Sequence, residues 1–337
     1  METRKQQVDV AAVRAARERI APYVRRTPLV ASTWLSELSG ADVRLKLESL
    51  QVTQAFKARG AFNAALTIRA RATEGGVDRD GDVAGELPRL VTASTGNHGR
   101  ALATAARAAG LSCVVFAPAS TPATKQNAIR AAGAELRAVY PGYEEAEADA
   151  LAFAAKDGAV YVSPYNDPLI VAGTGTIGLE ILDDQPAVDT VLVPIGGGGL
   201  ISGIATVLKA LRSDIRVIGV EASRNAVFHT IRAKGYGAAI DIQPTLADAL
   251  GGDVEPGSIT IDLVQRLVDD IVLVDEDAIA AAVRALVEND RIVTEGAGAI
   301  AAAAIASKRI DIAGRKVVAL VTGGNIDRAK LASLLSA

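Results

Sequence analysis

A chain of 337 residues, half of them hydrophobic and 4% aromatic, can bury one large or two smaller cores and is too apolar to be a disordered chain. Its formal net charge of -3 comes from signs mixed along the sequence, so it lacks the basic stripe that nucleic-acid binding requires. The greasiest run, AGAIAAAAIAS near residue 300, is too short for the roughly 20 apolar residues of a membrane span, and neither nucleic acid nor membrane is an expected partner.

Taken in chain order, METRKQQVDVAAVRAARERI carries charge throughout and has no apolar stretch of signal-peptide length, which makes the cytoplasm the expected location. The first strand-like segment is VRLKLE, and RATEGGVDRDGDVAGELP, rich in Gly, Asp and Glu, reads as an exposed loop or linker marking a boundary. Strand RLVTAST then leads to helix GNHGRALATAARAAG, strand SCVVFAP, helix TPATKQNAIRAAG, strand ELRAVY, helix YEEAEADALAFAAKDG and strand AVYVSP. A second series begins with DTVLVPIGGGGLISGIATVLKAL, continues through DIRVIGVEAS and closes on KVVALVTGG. Valine-rich strands alternating with Ala-rich helices predict an α/β fold with mostly parallel sheets covered on both faces. The single cysteine, Cys113, lies inside SCVVFAP, cannot close an internal disulfide and is read as a core residue of a protein in a reducing compartment.

Four stretches could carry chemistry. In IGGGGL, residues 195–200, four glycines between a strand and a helix bare their backbone N–H groups where the helix start adds partial positive charge, which suits a phosphate. A tight turn with close helix packing is the alternative. The loop lacks the GK[ST] of a Walker motif, and Ser202 breaks the dinucleotide GxGxxG pattern. In STGNHG, residues 94–99, the hydroxyls of Ser94 and Thr95, the Asn97 amide and the N–H groups of a helix start could dock a carboxylate, or simply cap the helix. His98 and His229 are the only histidines, too few for a metal site built on imidazoles. Lys57, between Phe56 and Ala58, would be a nucleophile or base with a lowered pKa if buried, and a snorkelling surface lysine if not. VTGGN, residues 321–325, ends a strand on Thr322, whose hydroxyl could face a ligand, or is a turn.

An early lysine, STGNHG, a glycine cup and a terminal strand hydroxyl, in this order and spacing, resemble the serine/threonine dehydratase branch of the fold type II pyridoxal-phosphate enzymes. RTPL at 26–29, KARGA at 57–61, AGTGTIGLEI at 172–181 and EGAGA at 295–299 extend the resemblance over nearly the whole chain. It implies two open, mostly parallel twisted sheets flanked by helices, as in tryptophan synthase β, with pyridoxal 5'-phosphate as cofactor. Residues 1–80 and 167–337 would form the large domain and residues 81–166 a small mobile one. Lys57 would hold the cofactor as a Schiff base and, once released by the amino acid, remove its α-proton. Gly196, Gly197, Gly198, Gly199 and Leu200 would bind the phosphate, Asn97 the ring hydroxyl and Thr322 the pyridine nitrogen, with Phe56 against the ring and Glu295 near the pyridine. Ser94, Thr95, Gly96, Asn97 and His98 would take the substrate carboxylate. A hydroxyl, unlike a carboxylate, does not keep the pyridine nitrogen protonated, which favours rapid loss of a β-hydroxyl over a long-lived carbanion. The implied reaction is dehydration and deamination of a β-hydroxy amino acid to a 2-oxo acid and ammonia by a homodimer.

The chain also departs from the pattern. Relatives commonly read TGSFK where this sequence has TQAFK, so Gln54 would join the substrate pocket. Racemases of the branch carry Ser where Thr95 stands, and a bulkier Thr disfavours racemisation. EASRNAV leaves Glu221 without the second carboxylate that some relatives use for a divalent cation, so no metal is expected. No regulatory domain is expected after the core. TASTGNHGRALA and GTGTIGLEI look most like dehydratases of hydroxyectoine utilisation and phenylserine dehydratases, which brings larger or charged β-substituents into competition with threonine. A racemase or β-replacement synthase on the same scaffold, and a colourless phosphate-ligand sensor, are the rival expectations.

Overall fold

The computed structural model describes residues 8–74 and 87–336, so most of the RATEGGVDRDGDVAGELP stretch and the extreme N-terminus lie outside the described residues. The expectation of an α/β fold with two sheets holds. A six-stranded sheet runs β1-β2-β10-β7-β8-β9, built from β1 (Leu29–Ala31), β2 (Asp42–Leu47), β7 (Thr190–Pro194), β8 (Arg216–Ala222), β9 (Asp270–Val274) and β10 (Lys316–Val321). A four-stranded sheet runs β5-β4-β3-β6, from β3 (Leu90–Ala93), β4 (Cys113–Pro118), β5 (Glu135–Tyr140) and β6 (Val160–Tyr161). Every pairing is parallel except β1 on β2.

Strands β7 and β10 read TVLVP and KVVALV, and their side chains are buried on both faces except at Lys316, as parallel strands between helical layers require. The antiparallel edge β1 and the edge strand β9 have no counterpart among the strands read from the sequence. Both carry half-buried positions and short apolar runs, too weak a pattern to separate from loop.

The helix α12 (Gly296–Ala306) contains the run AIAAAAIA and is buried from Gly296 to Ile305 against the six-stranded sheet. This explains an apolar helix without a polar face: its solvent is the protein core. Among the described residues no helix is long and apolar enough to cross a membrane. Cys113 is buried in the core of the smaller sheet, and burial pushes its thiol up to about 12, as expected for a packing residue.

Beneath the lysine loop sits a buried ionic cluster. Arg59 lies on α3 (Lys57–Thr73) and donates to both oxygens of Glu48 (2.8 Å each) and to both oxygens of Glu180 (2.7 and 2.9 Å) on α7 (Pro168–Asp184). Lys46 adds a 2.6 Å bond to Glu180, and Thr27 donates to Glu48 at 2.5 Å. Two cations and two anions balance, which makes burial of four charges tolerable. Burial works against the charge on Glu48, but Arg59 overrides it and holds the carboxyl below its ordinary range. Arg59 therefore ties β2, α3 and α7 together two residues after Lys57.

Candidate active site

Parallel sheets present ligands at the carboxyl ends of their strands, and the candidate residues collect there. Leu47 pairs with Val321, so Glu48 and Thr322 leave the sheet side by side, while β7 runs out of Pro194 into the glycine loop and β8 ends beyond Glu221. The lysine loop is stitched to the end of β10. Ala55 bridges Gly323, Phe56 donates its N–H to the Thr322 carbonyl (3.0 Å), and Gly324 donates to the Gln54 carbonyl (2.9 Å). Residues 268 positions apart in sequence, Gln54 and Thr322, thus share one wall.

Gln54 sits at φ 58, a left-handed conformation that glycine adopts without a Cβ penalty. The chain needs this kink to turn from the loop into α3, which explains physically why a glycine would suit the position. The Gln54 side chain is exposed and within 3.4 Å of the Arg100 guanidinium.

Lys57 opens α3 with its side chain half-buried. Its Nζ donates to the Pro164 carbonyl (2.7 Å) and lies 5.1 Å from the centre of the Phe56 ring. No carboxylate answers the charge within ion-pair distance among the described residues, and loss of solvent lowers the amine to about 8. The amine is thus held on a protein carbonyl in a half-buried position, which a snorkelling lysine is not.

The 94–99 stretch joins β3 to α4 (Asn97–Ala108). Ser94 Oγ accepts from the N–H groups of Gly96 (3.2 Å) and Gly99 (2.9 Å), so this hydroxyl is engaged as a turn and cap acceptor. Thr95 is exposed, and Gly96 and Asn97 are half-buried. His98 is buried with Nε2 3.2 Å from the Val162 carbonyl. Burial, together with the charge of Lys57, lowers it to about 3, so the imidazole is neutral. Its Nδ1 has no hydrogen-bond partner among the described residues.

The glycine loop enters α8 (Gly199–Leu211) through Gly198 at φ 84. A Cβ at Gly198 would lie 2.7 Å from the Phe228 ring and 2.9 Å from the Thr260 Cβ, and one at Gly197 would run into the Tyr165 ring. Close packing on the outer side therefore explains part of the glycine content, as the tight-turn reading expects. The N–H groups of Gly197, Gly198, Gly199 and Leu200 have no acceptor among the described residues. Four orphan donors at a helix start fit a phosphate. Leu200 itself is buried in the core.

Around Asn97 the side chains form a chain of amides. Asn97 Nδ2 donates to Glu295 Oε1 and its Oδ1 accepts from Asn325 Nδ2, both at 2.7 Å. Burial, reinforced by Asp248, raises Glu295 to about 7. Thr322 is buried, its hydroxyl donating to the Ala297 carbonyl (3.2 Å) with a hydrogen that can rotate toward another acceptor. A cavity of about 310 Å³ opens beside this group, lined by Gln54, Asn97, Arg100, Lys125, Glu295 and Asn325 among others.

Three participants were not singled out from the sequence. Tyr165 packs on the glycine loop, its hydroxyl accepting from the Glu255 N–H (3.0 Å), and the Pro164 carbonyl before it holds Lys57. Asn325 follows the paired glycines of VTGGN, the one local signal that could have drawn attention to it. Glu221, read as a lone carboxylate, spends both oxygens on the N–H groups of Phe228 (2.8 Å) and His229 (2.9 Å) at the start of α9 (Val227–Lys234), and burial raises it to about 7. It caps a helix. Among the described residues no group of three metal-ligating side chains comes together.

Residues 20–323 match the family described as pyridoxal-phosphate dependent enzyme. The chain is 38% identical over 315 residues to an L-threonine ammonia-lyase of Thermotoga maritima, covering 94% of this chain and 75% of that protein. Among solved structures it is similar to maize serine racemase (TM-score 0.85, 32% identity, 98% of this chain and 97% of that one). It is also similar to the processed form of threonine deaminase isoform 2 from Solanum lycopersicum (TM-score 0.83, 30% identity, 97% and 94%).

Proposed function

The chain belongs to the pyridoxal-phosphate dependent enzyme family, and from that premise we propose that it is an ammonia-lyase acting by β-elimination on a β-hydroxy-α-amino acid. The observation that carries this reading is Lys57: an amine with its pKa lowered to about 8, at a helix start, held by the carbonyl of Pro164 next to the Tyr165 that packs on a loop whose backbone donors have no acceptor among the described residues. The residues present fit pyridoxal phosphate, which when bound supplies an electron sink conjugated to the substrate's α-carbon.

In this reading the N–H groups of residues 196–200 would hold the phosphate, Lys57 Nζ would bind the cofactor's aldehyde carbon and Phe56 would lie against the ring. Asn97 would donate to the ring oxygen. Thr322 would turn its hydroxyl hydrogen to the unprotonated ring nitrogen, with Glu295 nearby. Ser94, Thr95, Gly96, Asn97 and the neutral His98 surround the substrate carboxylate. Lys57 would take the α-proton and could hand it to the β-hydroxyl, which would then leave as water. Released product then hydrolyses to a 2-oxo acid and ammonia.

The name of the Thermotoga maritima relative supports threonine as substrate, and Gln54 in the cavity lining supports a larger or charged β-substituent, as in phenylserine or β-hydroxyaspartate. Racemisation is the second reading, favoured by the likeness to maize serine racemase and opposed by Thr95 in place of serine. We further propose closure of residues 81–166 over the substrate, no catalytic metal, a homodimer and a cytoplasmic location. Incubation with L-threonine, L-serine, β-hydroxyaspartate and phenylserine tests the function, following oxo acid and ammonia against D-isomer. Absence of oxo acid from every substrate, with D-isomer formed instead, would replace the lyase reading by the racemase one.

A further inference from the structure

A side-chain amide has an oxygen at one end and an NH2 of nearly equal size at the other, so shape does not decide which way it points; its hydrogen-bond neighbours do. This matters at Asn97, because the ring oxygen of pyridoxal phosphate, an acceptor, needs the NH2 end. Building on the cofactor assignment above, we infer that Asn325, anchored by Arg100 and the Thr53 carbonyl, is a positioning residue that sets the orientation of the Asn97 amide.

The argument runs from neighbours whose roles are fixed. Thr53's backbone carbonyl can only accept, and it takes a hydrogen from Asn325 Nδ2 at 3.0 Å. Arg100's guanidinium can only donate, and its Nη1 reaches Asn325 Oδ1 at 2.7 Å. Between them Asn325 has one orientation. Its Nδ2 then also faces Asn97, so Asn97 must answer with Oδ1, which it does at 2.7 Å. The NH2 of Asn97 is thereby turned the other way, one hydrogen engaged by Glu295 Oε1 and the second left for the ring oxygen. Glu295 accepts at that position without choosing it alone. Asn325 reaches the site because Gly323 and Gly324 carry the chain past Glu295 and Ser49: a Cβ at Gly323 would run into the Glu295 carboxylate, and one at Gly324 would lie 3.1 Å from the Val293 carbonyl oxygen. Arg100 is half-buried three residues after Asn97 on the same helix, so both point into the same cavity.

Asn325→Asp tests this. An aspartate puts oxygen where Nδ2 was, keeps its attraction for Arg100, and forces Asn97 to present its NH2 toward position 325 and its oxygen toward the cofactor. Removing one hydrogen bond to a charged acceptor is expected to weaken pyridoxal phosphate binding about tenfold or more. The visible band of the lysine-linked cofactor should lose intensity to the near ultraviolet, because the ring oxygen no longer has a donor to keep it anionic. Asn97→Ala should give the same spectrum, and the Asn97→Ala/Asn325→Asp double variant should be no weaker than Asn97→Ala alone, since a residue acting through Asn97 has nothing left to act on. A purely structural residue would weaken binding additively and leave the band in place. Should Asn325→Asp not fold, Arg100→Met removes the donor-only anchor at a half-exposed site, and a smaller shift of the band in the same direction is expected. A yellow wild type alongside an Asn325→Asp or Arg100→Met variant of unchanged band and affinity overturns this inference alone; a colourless wild type overturns the cofactor assignment and this inference with it.

Discussion

An amine attacks an aldehyde only when neutral, so the pH at which Lys57 loses its proton should govern how fast the protein takes up pyridoxal phosphate. An ordinary lysine, titrating at about 10.4, is neutral in roughly one molecule in a thousand near pH 7.5. With the pKa lowered to about 8 by loss of solvent, about a quarter of the molecules are ready at that pH, a gain of around two hundredfold. Protein freed of cofactor, mixed rapidly with pyridoxal phosphate and followed by growth of the visible band, should show a rate that climbs through an inflection near pH 8. The same shift has a stability sign. The unfolded lysine binds its proton more tightly than the folded one, so burial of the charge destabilises the fold fully below about pH 8, and this penalty is relieved as pH rises from about 8 toward 10.5. Because the side chain is only half-buried, water screens part of the cost, and Lys57→Ala should gain about 1 kcal/mol at neutral pH while losing all turnover. A loading rate that inflects only above pH 10, or a Lys57→Ala protein that is less stable than wild type, would refute the desolvated amine.

Other consequences can be checked in parallel. Arg59→Met leaves Glu48 and Glu180 buried with only Lys46 for company and should cost about 3–5 kcal/mol in urea denaturation; a loss below 1 kcal/mol would mean that the cluster contributes little. Gly198→Ala forces an alanine into φ 84 and a Cβ against Phe228, so about 1–2 kcal/mol of stability and most of the phosphate affinity should go; cofactor titration would find undiminished affinity if the loop were no anion site. Glu221 has a folded pKa of about 7, above its ordinary range, so its contribution is full below about pH 4.5 and fades as pH rises through 7; Glu221→Gln should flatten the pH dependence of the thermal midpoint in that window, and an unchanged slope would contradict it. Gln54→Gly relieves the left-handed strain at φ 58 and should shift the substrate profile across the amino acid panel; an identical profile would remove Gln54 from the pocket.

The strands of both sheet centres and the motifs IGGGGL, STGNHG and VTGGN were legible in the sequence because each is a local statement: a run of valines, glycines between a strand and a helix. That a lysine early in the sequence belongs with these motifs was an expectation from the resemblance. The chain by itself could not settle that the lysine's amine is half-buried on the Pro164 carbonyl, that Glu221 caps a helix, or that Arg59 is caged by two carboxylates more than a hundred positions apart. Those depend on partners from distant segments. Burial, pKa and the direction of an amide are properties of what surrounds a group, and the surroundings of Lys57 and Asn97 are assembled only when the end of β10 folds back across the lysine loop and brings Asn325 with it.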